Sequence, residues 1–246
     1  MTLNIGKEFM EKTKYQYLDE TDQQKGLPQP PLELEYDSNS TIIDLPLAEN
    51  IEVKNIDLRE AIQERKSLRK YSDKPLTIEE LSYLLWCTQG VKRIVSRPAT
   101  IRTVPSAGAR HSFETYLLIN RVDGIKPGIY RYLAIEHKLI EINTEANIGE
   151  KVAHSCCRQM FIADSGVTFI WSTVIYRMKW RYGERGYRYV HLDAGHVCQN
   201  LYLAAQSIDC GVCAIGAFDD DELNKLIGID GEEQFVVYLA TVGKKK

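Results

Sequence analysis

The sequence predicts one α+β domain preceded by an extended arm, and three observations carry that reading. Short β-branched or alternating segments of strand length recur at Glu114–Asn120, Ile129–Leu133, Lys138–Ile142, Val167–Ile175 and Glu233–Gly243. Segments of helical period are interleaved with them, the clearest being Leu192–Ile208, where Leu192, Ala194, Val197, Leu201, Ala204, Ala205 and Ile208 share a stripe. Residues 1–56 show apolar residues without a period. They include Gly26-Leu27-Pro28-Gln29-Pro30-Pro31-Leu32-Glu33, whose prolines lack amide donors and push their predecessors toward extended backbone.

The elements follow in order. The arm, 1–56, is either a tail or a strap laid over its own domain or over a dimer partner. The domain, 57–246, opens with a helix beginning Asp57-Leu58-Arg59-Glu60-Ala61-Ile62, with Asp57 as its cap. Thr77-Ile78-Glu79-Glu80 has capping-box spacing. The helix after it carries Leu81, Leu84, Leu85 and Thr88 on one face and ends at Gly90. The 114–120 strand comes next, then a hairpin that turns at Glu136-His137, a helix over Val152–Met160 and the buried strand Val167–Ile175. The long helix follows and is closed by Cys210-Gly211. A short helix, Asp220–Ile227, ends at Gly228 before the last strand.

Composition narrows the function. With 246 residues, 44% hydrophobic and 26% charged, the chain is long enough for a substantial core and ordinary for a globular protein. A net charge of −3 gives no reason to expect nucleic acid or an anionic membrane as partner. No apolar stretch approaches the ~20 residues of a membrane span, and Met1–Lys7 does not read as a secretory signal. The expectation is a cytoplasmic protein with its six cysteines as free thiols. Cys210-Gly211-Val212-Cys213 has no second ligand pair at zinc-site spacing, and His191 and His196, five apart, do not share a helical face.

Four segments carry chemistry. In Arg65-Lys66-Ser67-Leu68-Arg69-Lys70-Tyr71, Arg65 and Arg69 share a face if the backbone is helical, and Arg65, Ser67 and Arg69 share one if it is extended. Two guanidinium forks and a hydroxyl suit a phosphate and polar ring edges; a solvated helix end suits the same residues. Val104-Pro105-Ser106-Ala107-Gly108-Ala109-Arg110-His111 reads as a small-residue loop whose backbone can approach a flat or anionic ligand. Gly211–Phe218 reads as a second close-packing surface or a plain connection. Arg181-Tyr182-Gly183-Glu184-Arg185-Gly186-Tyr187-Arg188-Tyr189 reads as a loop that binds an acidic or peptide-like substrate, delivers a proton, or lies in a dimer interface. Neither a Walker loop nor GxGxxG occurs, which argues against a Rossmann nicotinamide domain.

In this order the segments resemble the nitroreductase family, and within it the SagB-type dehydrogenases that form thiazole and oxazole rings in peptides. The resemblance lies in Arg65-x-Ser67-x-Arg69-x-Tyr71, in Pro105–His111 followed by Glu114, and in Gly124–Tyr132. It extends to Asp193-Ala194-Gly195-His196 through Asn200-Leu201, to Ile215–Asp220, and to Gln29-Pro30-Pro31-Leu32-Glu33. It implies the FMN-dependent nitroreductase fold, a mostly antiparallel sheet flanked by helices, in a homodimer with FMN at the interface. It implies two-electron hydride transfer to or from a small-molecule or modified-peptide substrate, with NAD(P)H as a candidate electron donor. By the resemblance Arg65, Lys66, Ser67 and Arg69 hold the phosphate, ribityl chain and pyrimidine edge. Pro105, Ser106, Ala107 and Gly108 face the ring, Ile215 and Gly216 lie near N5, and Lys244 is a candidate phosphate contact. Arg181 and Tyr182 stand where the azole-forming members have a Lys-Tyr catalytic pair. A competing reading is a non-catalytic flavin-binding or scaffold subunit.

Overall fold

The computed structural model describes residues 4–96 and 98–246; the opening Met1-Thr2-Leu3 of the arm lies outside them. The arm is not extended throughout. It contains helix α1 (Ile5–Lys12) and an edge strand, β1 (Ile42–Asp44). Helix α2 (Leu58–Glu64) is capped by Asp57, whose side chain accepts the Arg59 and Glu60 amides. Helix α3 (Ile78–Gln89) starts at the Thr77–Glu80 capping box and stops before Gly90. A hairpin that the sequence pattern did not reveal, β2 (Val91–Val95) and β3 (Ala99–Arg102), forms its own two-stranded sheet.

Strands β4 (Phe113–Ile119), β5 (Gly128–Leu133) and β6 (Lys138–Asn143) lie within a residue or two of their predicted spans. Helix α4 spans Ile148–Ser155, four residues earlier than the sequence suggested. Left-handed backbone at Cys157 and Arg158 (φ 55° and 59°) ends helical geometry there. Strand β7 (Val167–Val174) leads into α5 (Tyr176–Tyr182), then α6 (Gly186–Ala204), β8 (Cys210–Ile215), α7 (Asp220–Ile227) and β9 (Gln234–Lys244). The segment 181–189 is therefore the junction of two helices rather than a loop. Gly183, at φ 53° and ψ −143°, makes the break in a conformation only glycine adopts readily. The segment Gly211–Phe218, read as a close-packing surface or a plain connection, lies in strand β8 as far as Ile215: Val212 and Ile215 are buried and β9 supplies its ladder.

The seven-stranded sheet has the order β1-β6-β5-β4-β7-β9-β8, and each neighbouring pair is antiparallel. Strand periodicity sorts the core into two layers. On β4, Phe113, Leu117 and Ile119 face the cluster built with Leu81, Leu84 and Leu85 of α3 and Val190, Val197 and Leu201 of α6. Tyr116 and Leu118 face the opposite cluster, with Ile148 and Val152 of α4 and Leu223 and Ile227 of α7. The arrangement is a helix–sheet–helix sandwich, with α6 lying along one face.

The arm is fixed by a buried polar cluster. Glu114, at the start of β4, pairs with Arg177 of α5 at 2.7 Å, and the two side chains are 2% and 3% exposed. The Leu34 amide donates to Glu114 Oε1, Arg177 Nε donates to the Pro31 carbonyl, and Arg131 Nη2 donates to the carbonyls of Leu34 and Glu35. Trp180 Nε1 donates to the Leu27 carbonyl, and the Gln23 amide donates to the Trp180 carbonyl. Side chains of the domain thus satisfy a segment whose prolines and irregular backbone cannot join a ladder. Buried nearby, Arg102 donates to Gln89 Oε1 and Thr100 Oγ1, and burial lowers its guanidinium to about 10. Burial, with Arg102 and Arg110 adding repulsion, pushes the His111 imidazole down from 6.5 to about 3.

Two outcomes follow. Arg177→Ala leaves Glu114 buried without its counter-charge, so urea unfolding should show a loss of about 3–5 kcal/mol, and limited proteolysis should cut near residues 26–36. A loss under about 1 kcal/mol would contradict the clamp. The folded His111 value lies below the unfolded one, so its contribution is complete above the unfolded value and lost as pH falls from 6.5 toward 3. In unfolding measured across that window, His111→Asn should flatten the acid-side slope without abolishing it, because His137 is also pushed down by burial.

Candidate functional site

Helix α2 ends at Glu64, so the Arg65–Arg69 segment takes the extended of its two possible geometries. Ser67 bridges Val212 in parallel, and the Leu68 amide donates to the Val212 carbonyl at 2.8 Å. The segment thereby covers the outer edge of β8, which would otherwise present unpaired backbone groups. Tyr202 of α6 sits beneath it. Its hydroxyl accepts the Ala214 amide at 2.9 Å and meets Ser67 Oγ at 2.9 Å, while the Arg65 guanidinium lies 5.3 Å from its ring centroid. Arg69 lies 5.9 Å from the Phe161 centroid. Arg65, Lys66 and Arg69 form no ion pair among the described residues. Sequence reasoning missed Tyr202; its one signal was a phenol beside the apolar stripe of a long helix, a group that needs a partner when buried.

The second segment lies further toward the start of α6. Ser106 is extended, then Ala107–Ala109 turn with Gly108 at φ 58° and Ala109 at φ 54°. The Ala107 amide donates to Asp193 Oδ1 at 3.3 Å, Ser106 also bonds that carboxylate, and Ser106 Oγ accepts the His111 amide at 2.9 Å. Asp193 is buried and its Oδ2 has no hydrogen-bond partner among the described residues; burial raises its pKa while Ser106 and Ala107 oppose the shift. Asp193 is thus the acceptor that shapes the loop, and it lies two turns into α6 rather than at a helix start. Pro105 is exposed.

Arg181 and Tyr182, the last two residues of α5, lie directly on Gly108. A Cβ built there would collide with the Tyr182 hydroxyl and lie 2.9 Å from Arg181 Nε. Glycine suits the position on both counts: its backbone angle strains other residues, and a Cβ would force these side chains to shift. The Tyr182 ring meets Tyr189 edge-on at 4.8 Å, and Arg181 stacks 5.6 Å from the Tyr182 centroid. Arg110 Nε donates to the Gly108 carbonyl at 3.2 Å.

The remaining predicted residues divide. Gly216 is exposed just beyond β8, with a Tyr238 carbon 3.9 Å from where its Cβ would be. The side chain of Ile215 is buried in the α4/α7 layer, so it offers the site its backbone only. The Lys244 ammonium is not among the unpaired cations: it pairs with Glu80 and donates to the Ile208 carbonyl at 2.9 Å. Glu80 also caps α3, so Lys244 ties the end of β9 to that helix. Helix α6 sets the spacing of the site. Tyr202 supports the Arg65–Arg69 segment and Asp193 supports the Ser106–Gly108 loop, about 14 Å apart along the axis at 1.5 Å per residue.

The chain is 36% identical over 194 residues to a protein of Methanocaldococcus jannaschii named as a nitroreductase, MJ1384, covering 79% of this chain and 94% of that one. It is 30% identical over 161 residues to the trifolitoxin-processing protein TfxB of Rhizobium leguminosarum bv. trifolii, covering 64% of this chain and 38% of TfxB. The crystal structure of a protein from Anabaena variabilis described as a nitroreductase superposes with a TM-score of 0.71 at 28% identity, covering 85% of this chain and 42% of that one. The chain thus spans less than half the length of TfxB and of the Anabaena protein. The nitroreductase family profile matches residues 62–244, a span that takes in α3, the whole of β4–β9 and both halves of the site, and the chain belongs to the nitroreductase family.

Proposed function

We propose that the protein is an FMN-dependent oxidoreductase that moves two electrons, as hydride, between the flavin and a small-molecule or modified-peptide substrate. The observation that carries this reading is the pairing of unneutralised cations with a small-residue loop along one helix. Arg65, Lys66 and Arg69 lack acidic partners among the described residues and suit a phosphate. Ser67 and Tyr202 present hydroxyls beside them. Beside Asp193, which stands about 14 Å from Tyr202 along α6, Pro105, Ser106, Ala107 and Gly108 offer backbone and small side chains to a flat ring, with Gly216 as a second close surface. FMN, a phosphate joined to a planar ring by a ribityl chain, matches that donor set, and when bound it supplies the two-electron carrier.

The chain's own residues then have distinct tasks. Tyr202 holds the phosphate segment against β8, and Asp193 fixes the amides of the ring loop. Tyr182 is the group over Gly108 that can exchange a proton; Arg181 stays charged and cannot serve as a base. In this reading Lys244 braces β9 and does not hold the phosphate. NAD(P)H is the candidate donor for a reductase. The likeness to TfxB, a protein named for trifolitoxin processing, supports a SagB-type role on azoline rings in a peptide. A homodimer is supported by the exposed apolar side chains of Leu58 and Ile62 on α2, beside Trp86 of α3.

The deciding experiment is the visible spectrum of the purified protein, with chromatography of the heat-released chromophore; FMN is expected, and a protein that stays colourless after incubation with FMN overturns the reading. Arg65→Ala should weaken FMN retention about ten- to a hundredfold, the worth of one charged hydrogen-bonding contact, with circular dichroism unchanged. Unaltered retention would remove Arg65 from the phosphate site. Sedimentation should give twice the chain mass, falling to a monomer when Leu58 and Ile62 are both replaced by Glu.

A further inference from the structure

The helix junction that covers Gly108 is strongly basic, and most of its cations are already committed. Arg177 pairs with Glu114, and Lys179 pairs with Glu184 at 3.1 Å. Arg185 donates to the Thr13 carbonyl and the Tyr189 hydroxyl, and Arg188 donates to Thr13 Oγ1 and the Met10 carbonyl. Arg181 has neither a carboxylate nor a hydrogen-bond acceptor among the described residues, and its one contact of this kind is the Tyr182 ring. The Tyr182 hydroxyl likewise makes no hydrogen bond among the described residues, and its ring contacts are Tyr189 and Arg181. Both groups are half-buried and converge on Gly108, with Arg110 bonded to that residue's carbonyl from below. The carboxylates nearby are spent: Glu184 on Lys179, Asp193 on Ser106 and Ala107, Glu114 on Arg177.

The pair is held in place. Arg181 stands one helical turn after Arg177 and so on the same face of α5, which the Arg177–Glu114 pair pins to β4. Tyr182 is wedged edge-on against Tyr189, and Gly183 ends the helix immediately after it. A preorganised guanidinium beside a phenolic O–H donor matches a planar carboxylate, which accepts both at little further ordering cost.

We infer that Arg181 and Tyr182 form an oxyanion-recognition pair that binds a carboxylate on the substrate, so that the protein selects acidic substrates over neutral ones of the same shape. Its placement beside the reacting centre rests on the reading of the 105–108 loop as the seat of the flavin ring.

The test is calorimetric binding of 4-nitrobenzoate and of its neutral isostere 4-nitrobenzamide to the purified full chain, with bound flavin quantified in each preparation. Wild type should bind the carboxylate at least tenfold tighter. Arg181→Gln should remove that preference while flavin content and circular dichroism stay unchanged. Arg181→Lys, which keeps the charge but not the fork, should keep part of it, and Tyr182→Phe should lose it severalfold. Equal affinity for the two probes in wild type, or a preference that survives Arg181→Gln, overturns the inference. So does a loss of bound flavin in Arg181→Gln, because the guanidinium then serves the cofactor. An Arg181-dependent preference in a protein that takes up no flavin even after incubation with FMN supports the anion pair and defeats the oxidoreductase reading. A flavin-loaded protein without the preference defeats the pair alone.

Discussion

The carboxylate of Glu114 lies almost fully out of water at the start of the central strand, and a charge in that position is tolerated only with a partner and further hydrogen bonds. Arg177 supplies the counter-charge, and the Leu34 amide supplies a second donor. Three parts of the molecule that are distant in sequence are joined at this point: the arm, β4 and α5. The geometry then propagates in both directions. Toward the N-terminus of β4, Gly108 lies six residues before Glu114. Toward the C-terminus of α5, Arg181 lies one turn after Arg177. The same ion pair that seats the arm therefore brings the end of α5 onto the 105–108 loop.

Helix α6 provides the second constraint. It is the longest helix, its apolar face is buried against the sheet, and two polar residues interrupt that face beside the two candidate segments. Tyr202 gathers Ser67, Arg65 and the Ala214 amide, and Asp193 gathers Ser106 and the Ala107 amide. A rigid helix carrying both supports holds the two segments at a fixed separation. Among the described residues the Oδ2 of Asp193 has no hydrogen-bond partner, so the loop is held through the other oxygen alone.

Both edges of the sheet are also managed by distant segments. The arm contributes β1, three residues that cap β6, and the Arg65–Arg69 segment lies along β8. Covering the β8 edge has a functional consequence, because the covering residues carry the cations: a stretch that protects an unpaired strand also presents Arg65 and Arg69 on one side.

Much of the nitroreductase fold was legible in the sequence, because local physics decides it. Caps at Asp57 and Thr77, the strand periods of β4–β7 and β9, and the turn at His137 are written in adjacent residues. The family's ordered motifs pointed to the small-residue loop and the basic segment before their geometry was visible. The alternative between helical and extended backbone at Arg65–Arg69 could not be decided locally, since either places the guanidinium groups on one face; the edge of β8 decided it. Residues 181–189 read as a loop because their Arg and Tyr density looked like surface, yet packing of Tyr182 on Tyr189 and anchoring of Arg185 and Arg188 to the arm make them helical. Gly211–Phe218 read as a close-packing surface or a plain connection because its glycines and small residues stand out; β9 as a partner makes its first half part of a strand. Lys244 looked available because nothing in a sequence shows that Glu80, 164 residues away, will neutralise it. The sequence determined which residue types and local turns were present. Tertiary structure alone decided which charges were consumed by partners and which stayed unpaired, because electrostatic neutralisation depends on distance in space and not along the chain.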